Sequence, residues 1–203
     1  MEGKEHFHKG YDDISRFISY FYQCNTVLNL YPKSVLEIGV GNKLVSNYLK
    51  EKGINVTTCD YDSSLNPDVV ADVRNLSHFK DNTFDVVIAY EILEHISWED
   101  LDKALSELKR VSKKNVIISV PWTGWFFNIC IEIPFTNRRL FNIGFTIPRF
   151  WANMKPRKEH YWEIGFKNYS LKKVRSKIRE YFEIKKDFKV PMNRYHHFFI
   201  LKK

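Results

Sequence analysis

Two glycines one residue apart, Gly39 and Gly41, end a short apolar run and leave the backbone of a turn bare. The stretch reads Ser34-Val35-Leu36-Glu37-Ile38-Gly39-Val40-Gly41-Asn42. A helix-compatible run from Lys43 to Lys50 follows at once, with Leu44, Val45 and Leu49 at helical spacing. Strand, tight turn, helix is the order this dictates, because glycine takes positive φ and lets a ligand approach the main chain without steric cost. In open parallel sheets nucleotide-like ligands sit at this place, beyond the carboxyl end of a strand. A glycine pair alone also fits an ordinary strand-to-helix turn. The rest of the chain decides between the two.

The alternation continues. Lys52-Gly53 stops the helix, and Ile54 to Thr58 reads as a second strand ending in Cys59-Asp60-Tyr61-Asp62. Asp60 lies 19 residues beyond Gly41, close to the offset of about 20 at which βαβ nucleotide sites place the acid that holds a ribose hydroxyl. Val69 to Ala71 is a short buried strand with Asp72 at its end. Phe84 to Ala89 is apolar enough for a central strand covered on both faces. Leu101, Ala104, Leu105, Leu108 and Val111 share one helical face, and Asn115 to Val120 gives a fifth strand closed by Pro121. Upstream, Ile14, Phe17, Ile18, Phe21 and Tyr22 recur at spacings of three and four, predicting one amphipathic helix within residues 11–30, with those side chains inward and Tyr11, Arg16, Tyr20 and Gln23 at its polar or amphipathic positions. An α/β chain with a doubly wound, mostly parallel sheet follows.

Residues 34–121 resemble a class I S-adenosylmethionine-dependent methyltransferase domain, of the broad group that includes ubiquinone- and menaquinone-biosynthesis methyltransferases. The likeness is carried by Val35 to Gly41, by Asp60, by Ala71-Asp72-Val73, and by Phe84 to Ala89 running into Glu91-Ile92-Leu93-Glu94-His95. It implies a Rossmann-like seven-stranded sheet, with Leu171 to Ile178 as a last helix and Phe182–Phe188 and Tyr195–Leu201 as an antiparallel carboxyl-terminal hairpin. The cofactor it implies is S-adenosyl-L-methionine. Gly39 and Gly41 would admit its methionine part, with Glu37 setting the loop and the amino group. Asp60 would accept from the ribose hydroxyls and Tyr61 would pack on the adenine. Asp72 and the backbone of Val73 would read the adenine edge, while Ala89 and Tyr90 would line the floor near the sulfonium. One departure is Lys43, which stands where the family has a third glycine and is expected to point into solvent. A dehydrogenase would suffer more from that loss, since its third glycine serves a pyrophosphate turn.

The whole of residues 1–203 reads as one domain, with an amino-terminal helical segment over 1–31 and an aromatic-rich insertion over 121–168 expected to act as a substrate lid. The insertion carries Trp122, Trp125, Phe126, Phe127, Phe135, Phe145, Phe150 and Trp151 with Arg138, Arg139 and Arg149 among them. Pro121, Gly124 and Asn128 interrupt its apolar run, so a spanning helix is not expected. Aromatics flanked by arginines suit a core beneath a lid, a lipid-like acceptor or a membrane surface. Residues 121–203 hold 18 basic and 6 acidic side chains, a net +12, against −4 for residues 1–120. A basic rear half fits an anionic partner or a lysine-rich solvated surface equally.

Glu91, Glu94 and His95, at i, i+3 and i+4, would share a helix face. A small-RNA methyltransferase family uses a similar triplet for a divalent metal, yet the motif is widespread without one, and no metal is expected. After the fourth strand the chain lacks the Asn/Asp-Pro-Pro-aromatic motif of methyltransferases that act on exocyclic amino groups of bases. His95, His160 and Tyr161 can each move a proton, and the sequence does not rank them. Cys24, Cys59 and Cys130 share no ligand spacing and read as reduced residues. The amino terminus opens no apolar run, so a cytoplasmic, possibly membrane-peripheral protein is expected. The expected activity is methyl transfer to a small or lipid-linked metabolite; an RNA acceptor and a non-catalytic interaction module are the alternatives.

Overall fold

The computed structural model describes residues 12–132, 140–157 and 159–203. Tyr11, Phe135, Arg138 and Arg139 lie outside the described residues. Thirteen elements run in the order α1 (Ile14–Leu28), β1 (Ser34–Ile38), α2 (Leu44–Glu51), β2 (Asn55–Asp60), β3 (Val69–Val70), β4 (Phe84–Tyr90), α3 (Leu101–Val111), β5 (Ser112–Pro121), β6 (Gly124–Glu132), β7 (Leu140–Pro148), α4 (Leu171–Arg179), β8 (Glu183–Val190) and β9 (Asn193–Lys202).

Seven strands form one sheet in the order β3-β2-β1-β4-β5-β9-β8. The first five are parallel; β9 runs antiparallel to both β5 and β8. The order reverses at β1, so β1 and β4 lie side by side with Ile38 opposite Ala89. That reversal opens a crevice at their carboxyl ends.

Both faces of the sheet are covered. Leu101, Ala104, Leu105, Leu108 and Val111 of α3 are all buried against Val87, Val116 and Ile118, as the periodicity predicts. On the other face Val27, Val45 and Leu49 of α1 and α2 meet Val35, Val86 and Ile88. Cys24 and Cys59 are free and buried, and burial pushes both thiols up to about 12, which leaves them unreactive.

Helix α1 turns inward a face rotated from the one expected: Ile18 and Tyr22 still pack in part on the core, but the rest of the expected stripe does not. Ser19, Tyr20, Gln23, Cys24, Thr26 and Val27 are its buried residues, while Ile14, Phe17 and Phe21 are 79, 54 and 61% exposed. The physical reason is hydrogen bonding. Ser19 Oγ meets His196 Nδ1 at 2.7 Å, Asn193 Nδ2 donates to the carbonyl of Ser15, and Tyr90 donates to the carbonyl of Gln23. Buried polar atoms on β4 and β9 select a polar helix face, and an apolar moment cannot register that.

β6 and β7 pair only with each other, as a separate antiparallel ribbon. Residues 159–166 return to the body, where Trp162 is 1% exposed, sits edge-on to Trp98 at 5.1 Å, and donates from Nε1 to the carbonyl of Leu93. Among the described residues no helix is long and apolar enough to cross a membrane. Trp162→Ala should cost about 3–5 kcal/mol of stability in urea unfolding; a loss below about 1 kcal/mol would show that this packing is incidental.

Candidate active site

The glycine turn begins where β1 ends. Gly39 takes φ +82° and Gly41 φ +48°, and the amide of Gly39 donates to the carbonyl of Cys59 at 2.8 Å. A Cβ on Gly39 would lie 2.0 Å from Cδ1 of Ile92, so glycine here is a matter of space as well as dihedral. The third position keeps the glycine conformation without glycine: Lys43 has φ +63°. Its ammonium does not simply point into solvent; it donates to the carbonyl of Asn66 at 2.6 Å and ties the start of α2 to the loop after β2.

Asp60 is 6% exposed, and both of its oxygens accept from main-chain amides: Oδ2 from Val40 at 2.8 Å, Oδ1 from Asp62 at 2.9 Å. It therefore fixes the glycine turn. A carboxylate offers about four lone-pair sites, so two remain for hydroxyl donors. Tyr61, beside it, is 79% exposed. Asp72 is forked by Arg74, Nε at 2.8 Å and Nη2 at 2.7 Å, and Arg74 reaches on to Asp100. That hydrogen bonding holds the Asp72 carboxyl below its usual range. Val73 is buried and packs in the core beneath.

Glu37 is the unusual group. It is 4% exposed and its Oε2 has no partner among the described residues. Burial pushes its carboxyl up to about 8, with Asp60 adding to the rise and the Ser46 hydrogen bond and Lys50 opposing it. An orphaned, desolvated acid beside a bare glycine turn suits a ligand that brings its own cation. Ala89 is fully buried at the end of β4. Tyr90 faces α1, its hydroxyl donating to Gln23 O at 3.0 Å, so its ring walls the site from the helix side.

Next to this turn lies a second polar group that the sequence presented only in part. Glu91 takes φ +55°, and only Leu93–His95 form a short 3-10 turn, so the triplet does not share a helix face. Glu91 points toward His196, whose Nε2 lies 3.6 Å from Oε2. Burial drives both toward neutrality: Glu91 up to about 8, His196 down to about 3. Glu94 is fully buried with neither oxygen hydrogen-bonded among the described residues, Oε1 lying 4.0 Å from His95 Nε2, and burial beside Glu91 raises its carboxyl well above the usual range.

The returning segment 159–163 closes on that turn through Tyr161 N to Glu94 O at 2.8 Å. His95 Nδ1 meets the carbonyl of Glu159 at 2.6 Å, which fixes its proton on Nδ1. His160 Nδ1 meets Glu163 Oε1 at 2.7 Å, and Thr123 Oγ1 and Tyr195 Oη also donate to Glu163. Glu94, His95 and His160 can bring one ligand atom each within 4.8 Å of one another, a spacing that could hold a metal ion. A cleft of about 220 Å³ lined by Asp13, Arg16, Phe126, Tyr195 and His196 adjoins His196 from the α1 side.

Glu163, Tyr195 and His196 were not singled out by sequence. The one available signal was Glu163 as a lone acid in the otherwise apolar and aromatic run 161–166. Tyr195 and His196 gave none, because only the pairing of β9 with β5 brings them here.

Residues 36–120 match the family model of the methyltransferase domain. Among solved structures, magnesium protoporphyrin IX methyltransferase from Synechocystis with bound S-adenosylhomocysteine aligns with TM-score 0.63 and 14% identity, covering 98% of this chain and 92% of that one. The 1,6-didemethyltoxoflavin-N1-methyltransferase of Burkholderia thailandensis, with S-adenosylhomocysteine bound, aligns with TM-score 0.62 and 15% identity over 100% and 85% of the two chains. An S-adenosylmethionine-dependent methyltransferase from Clostridium acetobutylicum gives TM-score 0.62 at 11% identity over 98% and 95%. Identities this low establish likeness of fold. No curated protein matches by sequence. The strand order, the glycine turn and the family match over residues 36–120 together give this chain a methyltransferase domain, an enzyme fold that uses S-adenosylmethionine.

Two outcomes follow for Glu37. Its folded carboxyl sits near 8 against an ordinary 4.5. The unfolded chain therefore gives up this proton first, and Glu37 subtracts stability from the unliganded protein as pH rises from about 5 to about 8. A cofactor ammonium favours the ionised acid, so S-adenosylhomocysteine affinity should rise with pH up to that value, by at most about tenfold per unit. Titration calorimetry at several pH values checks it; Glu37→Gln should flatten the dependence, and a flat wild-type profile would contradict the assignment.

Proposed function

We propose that the protein methylates a hydroxyl or amine of a small or lipid-linked metabolite, with Glu37, Gly39, Gly41, Asp60, Tyr61, Asp72, Val73, Ala89 and Tyr90 forming the cofactor site. The observation that carries the acceptor reading is the walling of the polar group beside the glycine turn. Glu91, Glu94, His160, Glu163 and His196 are closed over by α1, β9 and the returning segment, and Glu91, Glu94, Glu163 and His196 are largely withdrawn from solvent. Enclosure of this kind suits a compact acceptor, and the carboxyl oxygens suit one that donates hydrogen bonds.

Bound at the glycine turn, S-adenosylmethionine supplies an electrophilic methyl carbon on a cationic sulfur. The protein's part is alignment, together with removal of a proton where the acceptor carries one. His160 is the residue built for that removal. Its Nδ1 is held by Glu163 at 2.7 Å, which leaves Nε2 as the lone-pair atom and stabilises the imidazolium once the proton arrives. Glu163 is in turn held by Thr123 and Tyr195, so it orients the ring without leaving the pocket. Tyr90, tied to α1 through Gln23, would keep bulk water from that end of the crevice.

A second reading rests on Glu94, His95 and His160 as a metal-binding group. With an ion there, His160 would be a ligand and no base, and an RNA acceptor meeting the basic rear half becomes the competing proposal.

S-adenosylhomocysteine release, measured with a panel of hydroxylated and amine-bearing metabolites and with short RNA, separates them. The expected result is turnover in the metabolite arm that survives a chelator. His160→Ala should lower that turnover by about 10²–10⁴-fold while leaving cofactor affinity intact, and Glu163→Gln should shift the acidic limb of the pH–rate profile. Turnover with RNA alone, lost with chelator and falling steeply with salt, would overturn the leading reading.

A further inference from the structure

The ribbon β6–β7 is amphipathic, and its apolar face looks outward. Directly paired residues of an antiparallel ribbon share a face, and three successive apolar pairs, Trp125 with Ile147, Phe127 with Phe145 and Ile129 with Ile143, lie on one side. These six side chains are 36–63% exposed, and Phe127 and Phe145 stack at 4.9 Å. The opposite face is mixed, with one aromatic among small and polar residues: Asn128 pairs with Gly144, and Phe126 with Thr146. That side rests on the body, where Arg194 Nε donates to Asn128 Oδ1 at 2.6 Å and a Cβ on Gly144 would lie 2.1 Å from the same nitrogen. The ribbon is thus docked by its mixed face and presents its apolar one.

Charge and aromatic content say what covers it. The ten residues after β7, Arg149 to Lys158, contain four cations and no acid. Phe150 and Trp151 open that stretch, 65 and 56% exposed, and the ring of Trp151 lies 6.2 Å from that of Trp125. Indoles beside an apolar face with a cationic rim are the arrangement that partitions into a headgroup boundary. In a symmetric pairing of two chains the same cations would oppose one another; anionic headgroups neutralise them. A two-stranded ribbon also has unpaired outer edges, so it lies in the interface and does not cross the bilayer. Helix α1 adds Ile14, Phe17 and Phe21 as a second exposed apolar stripe, and its first turn shares a cleft with Phe126 at the ribbon's base.

We propose that the outward face of β6–β7 seats the protein on an anionic lipid bilayer. This goes beyond the methyl-transfer reading and does not depend on which acceptor is used.

Flotation of the full-length chain with phosphatidylcholine–phosphatidylglycerol vesicles tests it, with phosphatidylcholine vesicles and the double variant Phe127→Asp/Phe145→Asp as comparisons. The expected result is binding to the anionic vesicles about tenfold above either comparison, with a blue shift of tryptophan emission as Trp125 and Trp151 leave water. Calorimetry with S-adenosylhomocysteine should give the double variant an affinity within about twofold of wild type, showing that it is folded. Wild-type protein that stays in the aqueous fraction, or floats equally well with the variant, overturns the proposal. So does a stable dimer that masks the ribbon and binds no vesicles. None of those results touches the methyltransferase assignment, which the calorimetry reads separately.

Discussion

Two contacts hold the glycine turn open against the central strands, and the rest of the site depends on them. Asp60 bridges the amides of Val40 and Asp62 from below, and Ile92 packs on the bare face of Gly39. The first ties the turn to β2, and the second ties it to the segment after β4. Because β1 lies between β2 and β4 in the sheet, these contacts close a ring around the crevice where the strand order reverses. A larger residue at position 39 would be strained at φ +82° and would displace the Ile92 side chain. The glycine serves packing between two loops as much as it serves a ligand.

The site gathers acids that the fold does little to neutralise. Glu37, Glu91, Glu94 and Glu163 are all largely withdrawn from water, and only Glu163 is well supplied with donors. Burying carboxylates without cations is costly. The cost makes sense for a protein whose cofactor carries both a sulfonium and an ammonium. Positive charge arrives with the ligand, and until then burial holds Glu37, Glu91 and Glu94 toward their neutral forms. The basic surplus of the chain lies in residues 121–203, the stretch that also supplies His160, Glu163, Tyr195 and His196 to the site.

What the sequence made legible was whatever local periodicity carries. Strands β1, β2, β4 and β5, helices α2, α3 and α4 and the terminal hairpin fell where apolar runs and helical spacing put them, because each buries its apolar face; β3, expected buried over Val69 to Ala71, is only Val69–Val70 at the sheet edge with Val70 49% exposed. Helix α1 did not obey, since Ser19, Gln23 and Thr26 find polar partners on β4 and β9 and thereby fix which face turns in. Neither was the ribbon legible: an apolar run looks the same whether it is buried or displayed, and only the polar contact of Asn128 with Arg194 settles which face is outward. The residues proposed for the cofactor cluster at strand ends, which is why a reading along the chain could put them in order. The acceptor-side groups come from β4, β9 and the returning segment, and those meet only in three dimensions. Glu91 with its positive φ also broke the helical register that the spacing of Glu91, Glu94 and His95 suggested.

The central claim is that the crevice beyond β1 and β4 receives S-adenosylmethionine with its amino end toward Glu37. A crystal structure of the protein with S-adenosylhomocysteine tests this most directly. The account predicts ligand density at the glycine turn, with a ribose hydroxyl within hydrogen-bond reach of Asp60 and the amino nitrogen within reach of the now partnered Glu37. Density elsewhere, or a ligand at the turn with Glu37 still unpartnered, would contradict it.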